Sequence, residues 1–428
     1  MREKTAALYT LGCRVNQYES DAIANELTLR GWDIRPFSEP CSVYIINTCT
    51  VTAESDRKSR QMIRRARSVS PGAFVIVCGC YSQMKPGDVE AYADLVCGTR
   101  NKMQVVYGAE ALIAGEPVEK FAVPDPSSQP YEPLSAPHTD RTRAFIKIED
   151  GCDGQCAYCL IRRARGGVVS RPEADILAEL GRLHDAGYPE VVFTGIEISA
   201  YGRDTGGDLL SLLNKVRTVK HPPRIRLSSV DPAWLKPEVS AALAEIEGFM
   251  PHLHLSVQSG SSAVLAAMRR KYNAETLYGN IEACREHIPG VRFSADLIAG
   301  FPGETEEDQK RTLEFLDFAH LVHAHIFPFS ERAGTPAASM DGRLDKKTKA
   351  ARAAELAERQ RRIGEQDAAA AIGQTVNVLF ETKHNGCATG HSDDFRTVRA
   401  KTSADVGGLV LPARIISYRD ETYEAEII

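Results

Sequence analysis

The chain reads as an α/β protein in three parts: an N-terminal parallel α/β sheet, a central open (βα)6 barrel of TIM-like form, and a small C-terminal β-barrel. Three observations predict this. Over residues 1–114, apolar runs closed by Gly, Thr or Cys alternate with helical stretches. Over 142–344, six more apolar runs are mostly separated by helical patterns. The last part, 367–428, holds short strand-like runs with Gly and Asn/Asp turns. A chain of 428 residues is in any case too long for one ordinary core.

In the first part the strand candidates are 6–10, 43–48 and 74–78, with helices over 18–30 and 54–68 between them. That order makes a parallel sheet. Residues 115–141 carry six prolines between Pro117 and Pro137 and no periodic pattern, so they read as an extended linker. The barrel strand candidates are 144–149, 190–194, 224–229, 252–257, 291–298 and 322–329, with helices such as 173–186 and 305–320. Six units in place of eight leave one side open, and chemistry in such barrels sits at the C-terminal strand ends. A charged helix over 345–371 begins as a connector (345–366), and strands at 375–380, 396–401, 408–416 and 421–428 predict the terminal β-domain.

Composition narrows the function. No run approaches the ~20 apolar residues of a membrane span. The N-terminus, MREKTAALYTLGC, lacks a secretory core, so a cytoplasmic location is expected. Eleven cysteines in such a chain point to metal or redox use over disulfides. A formal net charge of −5 excludes whole-surface attraction to nucleic acid. Local clusters differ: Arg57, Lys58, Arg60, Arg64, Arg65 and Arg67 fall within eleven residues, a basic helix face for phosphates or simply a solvated one. The runs Arg162–Arg165 and Arg269–Lys271, with Arg162, Arg163, Arg269 and Arg270 as the chosen contacts, are further basic candidates. The terminal β-domain has six Lys/Arg against nine Asp/Glu, a formal −3, so RNA contact there would rest on shape or stacking, for instance by Phe395.

The sharpest motif is GCDGQCAYC, in which Cys152, Cys156 and Cys159 have C-x3-C-x2-C spacing directly after the first barrel strand. Three thiolates on one tight loop can bind three irons of a 4Fe–4S cubane and leave the fourth open, as catalysis requires. The alternatives are a zinc site with a distant fourth ligand or incidental thiols. Cys13, Cys49 and Cys80 each fall just past a predicted strand of the first sheet, where parallel strands share one edge. On spacing alone, buried structural cysteine explains these three as well. His252 with His254, and His323 with His325, share strand faces; a third metal and polar barrel packing both account for them.

TLGCRVNQYES, NTCTV, GCYSQ, GCDGQCAYC, LSVQSGS, MRRKY and IAGFPGET, in this order, resemble the methylthiotransferases of the radical S-adenosylmethionine superfamily. The resemblance covers the whole chain, its terminal β-domain resembling their TRAM module. CRVNQYES and FSERAGTPAA are most similar to the branch acting on N6-threonylcarbamoyladenosine in tRNA. It implies two 4Fe–4S clusters, one on Cys152, Cys156 and Cys159 that binds and cleaves S-adenosylmethionine, and an auxiliary one on Cys13, Cys49 and Cys80 that carries or supplies sulfur. One S-adenosylmethionine donates a methyl group, and a second yields the 5′-deoxyadenosyl radical that takes hydrogen from C2 of the adenine. Tyr158, Gly195, Glu197, Arg226, Ser228, Ser229, Gln258 and Gly300 are the implied cofactor contacts, although a βα turn would also use Gly195. No side chain is implied as acid or base. The implied partners are a tRNA anticodon stem-loop and an electron donor such as flavodoxin or ferredoxin, with the enzyme monomeric. An isopentenyl-type adenosine or a ribosomal-protein aspartate are rival substrates, and an iron–sulfur electron carrier is a rival of another class.

Overall fold

The computed structural model describes residues 3–134 and 142–428. The N-terminal part is a six-stranded parallel sheet in the order Asp33–Ile34, Thr5–Thr10, Val43–Thr48, Phe74–Gly79, Leu95–Cys97 and Phe121–Ala122. Helices Arg14–Leu29 and Ala53–Val69 follow the first and third strands in sequence, and the three central strands are apolar on both faces, as a covered parallel sheet requires. Their register aligns Thr10 with Asn47 and Thr48 with Gly79, so the three chains leave the sheet together.

The linker expected over 115–141 is not a free spacer where it is described; residues 135–141 lie outside the described residues. Phe121–Ala122 adds the edge strand. The Glu132 carboxylate accepts the N–H groups of Lys102 and Met103 at 2.6 and 2.8 Å, at the start of helix Met103–Ala114. Tyr18 donates to the Leu134 carbonyl at 2.7 Å. Single side-chain ties hold a proline-rich strap in place, and a composition reading cannot see them.

Six parallel strands form the second part: Arg143–Lys147, Glu190–Thr194 and Arg224–Leu227 in one sheet, His252–Gln258, Arg292–Ala299 and His323–Pro328 in another, with a short antiparallel pair, Glu149–Asp150 and Val169–Ser170, between the first two. Bridges Ile225–Phe249 and Val230–Leu255 join the two, while the first and sixth strands do not pair. The result is a barrel open on one side. Alternate residues such as Leu253, Leu255, Phe293, Ala295 and Leu297 share a core with helices Ala274–His287 and Glu306–Ala319. Strand alternation then turns His252, His254, Ser294, Asp296, His323 and His325 into the lumen.

Helix Lys346–Ala371 packs along the sixth strand and leads to a closed five-stranded barrel: Thr375–His384, Cys387–Ser392, Thr397–Lys401, Thr422–Ile427 and Val410–Arg419. This domain stoppers the N-terminal end of the large barrel. Phe395 stacks between His252 and His391, with both ring centroids 4.6 Å away and with Arg143 and Arg226 over its ring. Arg143 pairs with Glu381, and Arg292 with Asp367 at 2.6 Å. Phe395 therefore serves the domain interface, and the expectation that it stacks on RNA is corrected.

Candidate metal and cofactor site

Cys152, Cys156 and Cys159 lie on the loop after the first barrel strand, and all are free thiols. Each sulfur accepts a hydrogen bond: from the Gly154 N–H at 3.2 Å, from Arg270 Nη1 at 3.3 Å and from the Ile161 N–H at 3.4 Å, respectively. Donors aimed at sulfur favour the thiolate, whereas burial pushes the Cys152 thiol up to about 12 and the Cys159 thiol up to about 11. Bound metal resolves that conflict, because coordination deprotonates a thiol outright. Three soft donors on one loop fit an iron–sulfur cluster.

Beside the loop lies a cavity of about 450 Å³, lined in part by Cys152, Cys156, Glu197, Asp231 and Arg270. That is the size of a small-molecule site. Polar atoms without a partner stand near the ends of the first three strands: Glu149 Oε2, Thr194 Oγ1 and Ser228 Oγ. Orphaned buried polar groups of this kind fit a polar cofactor that would complete them. Burial and the nearby Asp231 carboxylate push the Glu197 carboxyl up to about 7, against the pull of Arg270.

Of the expected cofactor contacts, Glu197 lines the cavity, beside the expected cluster ligands Cys152 and Cys156. Tyr158 is half-buried against a cluster containing Phe301 and Phe329. Ser229 is half-buried after the third strand, and Gln258 sits at a bulge at the end of the fourth with φ +69°, a strained conformation for a side-chain-bearing residue. Gly195 is required by packing: a Cβ there would stand 2.1 Å from Glu149 Oε1, which accepts the Glu197 N–H at 2.7 Å. Gly300 turns the chain at φ +75°, and the space of its missing Cβ is filled by Lys349, so it is part of the helix contact rather than the cavity. Arg226 is also corrected. Its guanidinium pairs with Glu190 at 2.9 Å and donates to the Ser392 and Asp393 carbonyls at 2.7 and 3.0 Å, at the barrel end away from the cysteine loop.

Cys13, Cys49 and Cys80 follow three neighbouring strands of the first sheet and converge. A Cβ on Gly12 would lie 2.9 Å from Cys49 Sγ, and Cys49 and Cys13 both act electrostatically on Cys80. Asn16 ties this edge by donating to the Leu11 and Thr48 carbonyls at 2.7 and 3.0 Å. Burial pushes the Cys80 thiol up to about 12. Two buried arginines brace the group, and one of them, Arg165, is thereby removed from the basic run expected to meet RNA. Arg332 donates to Thr50 Oγ1 and Asp56 Oδ2, both at 2.8 Å. Arg165 spans the two domains, donating to Asn16 Oδ1 at 2.5 Å, Glu19 Oε1 at 2.8 Å and Asp150 Oδ1 at 3.0 Å. Burial pushes the Glu19 carboxyl up, but Arg165, Lys147 and Lys102 outweigh it and hold it below the usual range.

The basic candidates divide. Arg64 and Arg65 are exposed, Arg64 over the Tyr92 ring, while Arg57 pairs with Glu54 and Arg60 donates to Tyr81 Oη at 2.8 Å. Arg162 and Arg163 are exposed and donate to the carbonyls of Asp153 and Gly334, respectively. Arg269 is exposed, but Arg270 is committed to Cys156, Asp231 and the Ser256 carbonyl. Its expected role on RNA gives way to one beside the cysteine loop. No helix among the described residues is long and apolar enough to cross a membrane.

The profile of the radical SAM superfamily matches residues 146–316, and that of the uncharacterized protein family UPF0004 matches residues 5–98. The chain is 35% identical over 423 residues to the threonylcarbamoyladenosine tRNA methylthiotransferase MtaB of Bacillus subtilis (strain 168), covering 96% of this chain and 94% of that one. It is 32% identical to the tRNA-2-methylthio-N(6)-dimethylallyladenosine synthase of Syntrophotalea carbinolica, covering 97% and 98%. Among solved structures, the radical S-adenosylmethionine methyltransferase TsrM of Kitasatospora setae has a similar fold, with a TM-score of 0.57 at 15% identity over 90% of this chain and 80% of that one. Two cysteine triads on two joined α/β domains, matched along nearly the whole length of such relatives, identify the chain as a member of the radical S-adenosylmethionine methylthiotransferase family.

Proposed function

We propose that this protein is a tRNA methylthiotransferase that adds a methylthio group to C2 of N6-threonylcarbamoyladenosine next to the anticodon. The observation that carries this reading is the end-to-end similarity to the MtaB enzymes, 35% and 34% identical in Bacillus subtilis and Thermotoga maritima, together with two separate cysteine triads. Cys152, Cys156 and Cys159 would hold one 4Fe–4S cluster, and Cys13, Cys49 and Cys80 a second. When bound, the first supplies the electron that splits S-adenosylmethionine and the second supplies or carries the sulfur.

The chain's own residues prepare both sites. The N–H groups of Gly154 and Ile161, with Arg270, offset the thiolate charge on the loop. Glu197, in the cavity wall, would take the cofactor's amino group, and the unpartnered Ser228 and Thr194 hydroxyls at the strand ends would be available to its polar end. Tyr158 would lie beside the adenine, and Ser229 and Gln258, after the third and fourth strands, would add polar contacts. Arg64, Arg65, Arg162, Arg163 and Arg269 face tRNA phosphates, helped by the C-terminal barrel as a TRAM-like module. A flavodoxin- or ferredoxin-type donor supplies electrons to a cytoplasmic, monomeric enzyme.

The test is anaerobic reconstitution with iron, sulfide, reductant and S-adenosylmethionine, followed by mass spectrometry of stem-loops carrying N6-threonylcarbamoyl- or N6-dimethylallyladenosine. A methylthio mass increment on the first supports the reading. An increment on the second alone makes the protein a dimethylallyladenosine enzyme, and none on either overturns the reading.

A further inference from the structure

The lumen holds a polar cluster that neither cysteine triad uses. His254, Asp296 and His325 offer side-chain atoms within 4.8 Å of one another, on three adjacent strands. His254 is already satisfied, with Nδ1 2.8 Å from Ser294 Oγ and Nε2 3.3 Å from Asp296 Oδ1. His325 is different. It is exposed to the lumen, its ring 5.5 Å from that of His254, and it makes no hydrogen bond or ion pair among the described residues.

A fourth group comes from the other domain. Arg14, the first residue of helix Arg14–Leu29, feels the charges of Arg143, Glu190 and Asp296 on barrel strands as well as that of Cys13 beside it, and its helix packs against strand Arg143–Lys147. The N-terminal domain thus presents this side chain to the barrel. Arg14 keeps accessible surface and makes no hydrogen bond or ion pair among the described residues. An exposed guanidinium with no protein partner is free to form charge-assisted hydrogen bonds with a ligand anion. Along the same edge strand, Phe327 is 45% exposed, with its ring 6.5 Å from that of His325.

We propose that Arg14, His325 and Asp296 form a receptor for a carboxylate-bearing N6 substituent of the target adenosine, with Phe327 as an apolar wall beside it. Arg14 and His325 donate to the ligand carboxylate, and Asp296 accepts from its hydroxyl or urea N–H. The proposal rests on the threonylcarbamoyladenosine reading and deepens it. A threonylcarbamoyl group carries a carboxylate, an alcohol and urea N–H groups, which is the complement of two donors and one acceptor. A dimethylallyl group carries none of these and would leave Arg14 unpaired. Sites built to hydrogen-bond a substrate reject analogues lacking the group, because their own polar atoms are then stranded. A metal ion is the less fitting occupant, since His254 has spent both ring nitrogens.

The experiment compares kcat/KM for methylthiolation of stem-loops carrying N6-threonylcarbamoyladenosine and its primary carboxamide, with stem-loop Kd and iron, zinc and sulfide content alongside. The wild-type protein is expected to favour the carboxylate about 10²-fold, and Arg14→Met to bring that ratio close to one, with Arg14→Lys restoring part of it. His325→Ala, remote in sequence from every cysteine discussed, is expected to lower the ratio about 5-fold and decides the matter should Arg14→Met load its clusters poorly. Equal losses on both stem-loops, or a wild-type ratio near one, overturn the receptor while leaving the substrate reading intact. A metal ion beyond the two clusters that disappears in Asp296→Asn also overturns it. A wild-type protein that modifies only the dimethylallyl stem-loop overturns the substrate reading and the receptor together.

Discussion

Glu197 and Arg270 face the same cavity, and each makes a prediction of its own. The Glu197 carboxyl, raised to about 7 by burial and Asp231, is neutral below that pH and charged above it. A carboxylate that pairs with the cofactor's ammonium must be charged, so S-adenosylmethionine affinity should fall as pH drops from 8 to 6, by up to about ten-fold per unit below the pKa. Equilibrium dialysis of Glu197→Gln should show weaker binding with this component of the pH dependence gone. Arg270 donates to Cys156 Sγ at 3.3 Å, and hydrogen bonds to cluster sulfurs raise reduction potentials. Redox titration of Arg270→Met should therefore find a more negative potential, while the salt dependence of tRNA binding stays as in the wild type.

Helix Ala53–Val69 and the loop of Phe395 are the elements whose roles can be separated by mutation. Arg64 and Arg65 are exposed on that helix. If both meet phosphates, Arg64→Ala with Arg65→Ala should reduce the slope of log K against log salt by about 2. An unchanged slope makes the helix a solvated face. Phe395→Ala should instead cost roughly 2–4 kcal/mol in denaturant unfolding, because it empties the stack between His252 and His391, and leave tRNA affinity unaltered. The sequence made the long strands legible because apolar runs such as Val43–Thr48 and Glu190–Thr194 are buried on both faces. It did not reveal Leu95–Cys97, at three residues, or Cys387–Ser392, a CATGHS segment poor in β-branched and aromatic side chains that becomes a strand through barrel closure. The cysteines were legible from spacing and motif order. The destinations of Arg165, Arg226 and Arg270 were not, since neighbouring arginines in one run point to solvent, to the domain interface or to a sulfur according to tertiary packing alone.

For the whole molecule, the Glu19–Arg165–Asp150–Lys147 network makes the two cysteine-bearing domains one body. Removing one member strands buried charge, so Arg165→Met should lower stability by about 3–5 kcal/mol and impair iron loading in both domains. The triads themselves should remain separable. The reconstituted protein is expected to hold about eight irons, falling to about four when either triad is changed to Ala. The Cys13, Cys49 and Cys80 variant should still form 5′-deoxyadenosine without methylthiolated product, with circular dichroism confirming its fold. A folded variant that still methylthiolates at the wild-type rate would place the sulfur source elsewhere. The C-terminal domain plugs one end of the barrel, the cofactor cavity opens beside the cysteine loop, and the unpaired first and sixth strands leave a separate gap in the wall. Small molecule and nucleotide would have different doorways if the nucleotide enters through that gap. A base swung out of the anticodon loop can occupy the side entrance while spent cofactor is exchanged through the other, so a reaction that consumes two cofactors need not release its RNA midway. In a pulse–chase experiment, a pre-bound labelled stem-loop should reach the methylthiolated product despite excess unlabelled competitor.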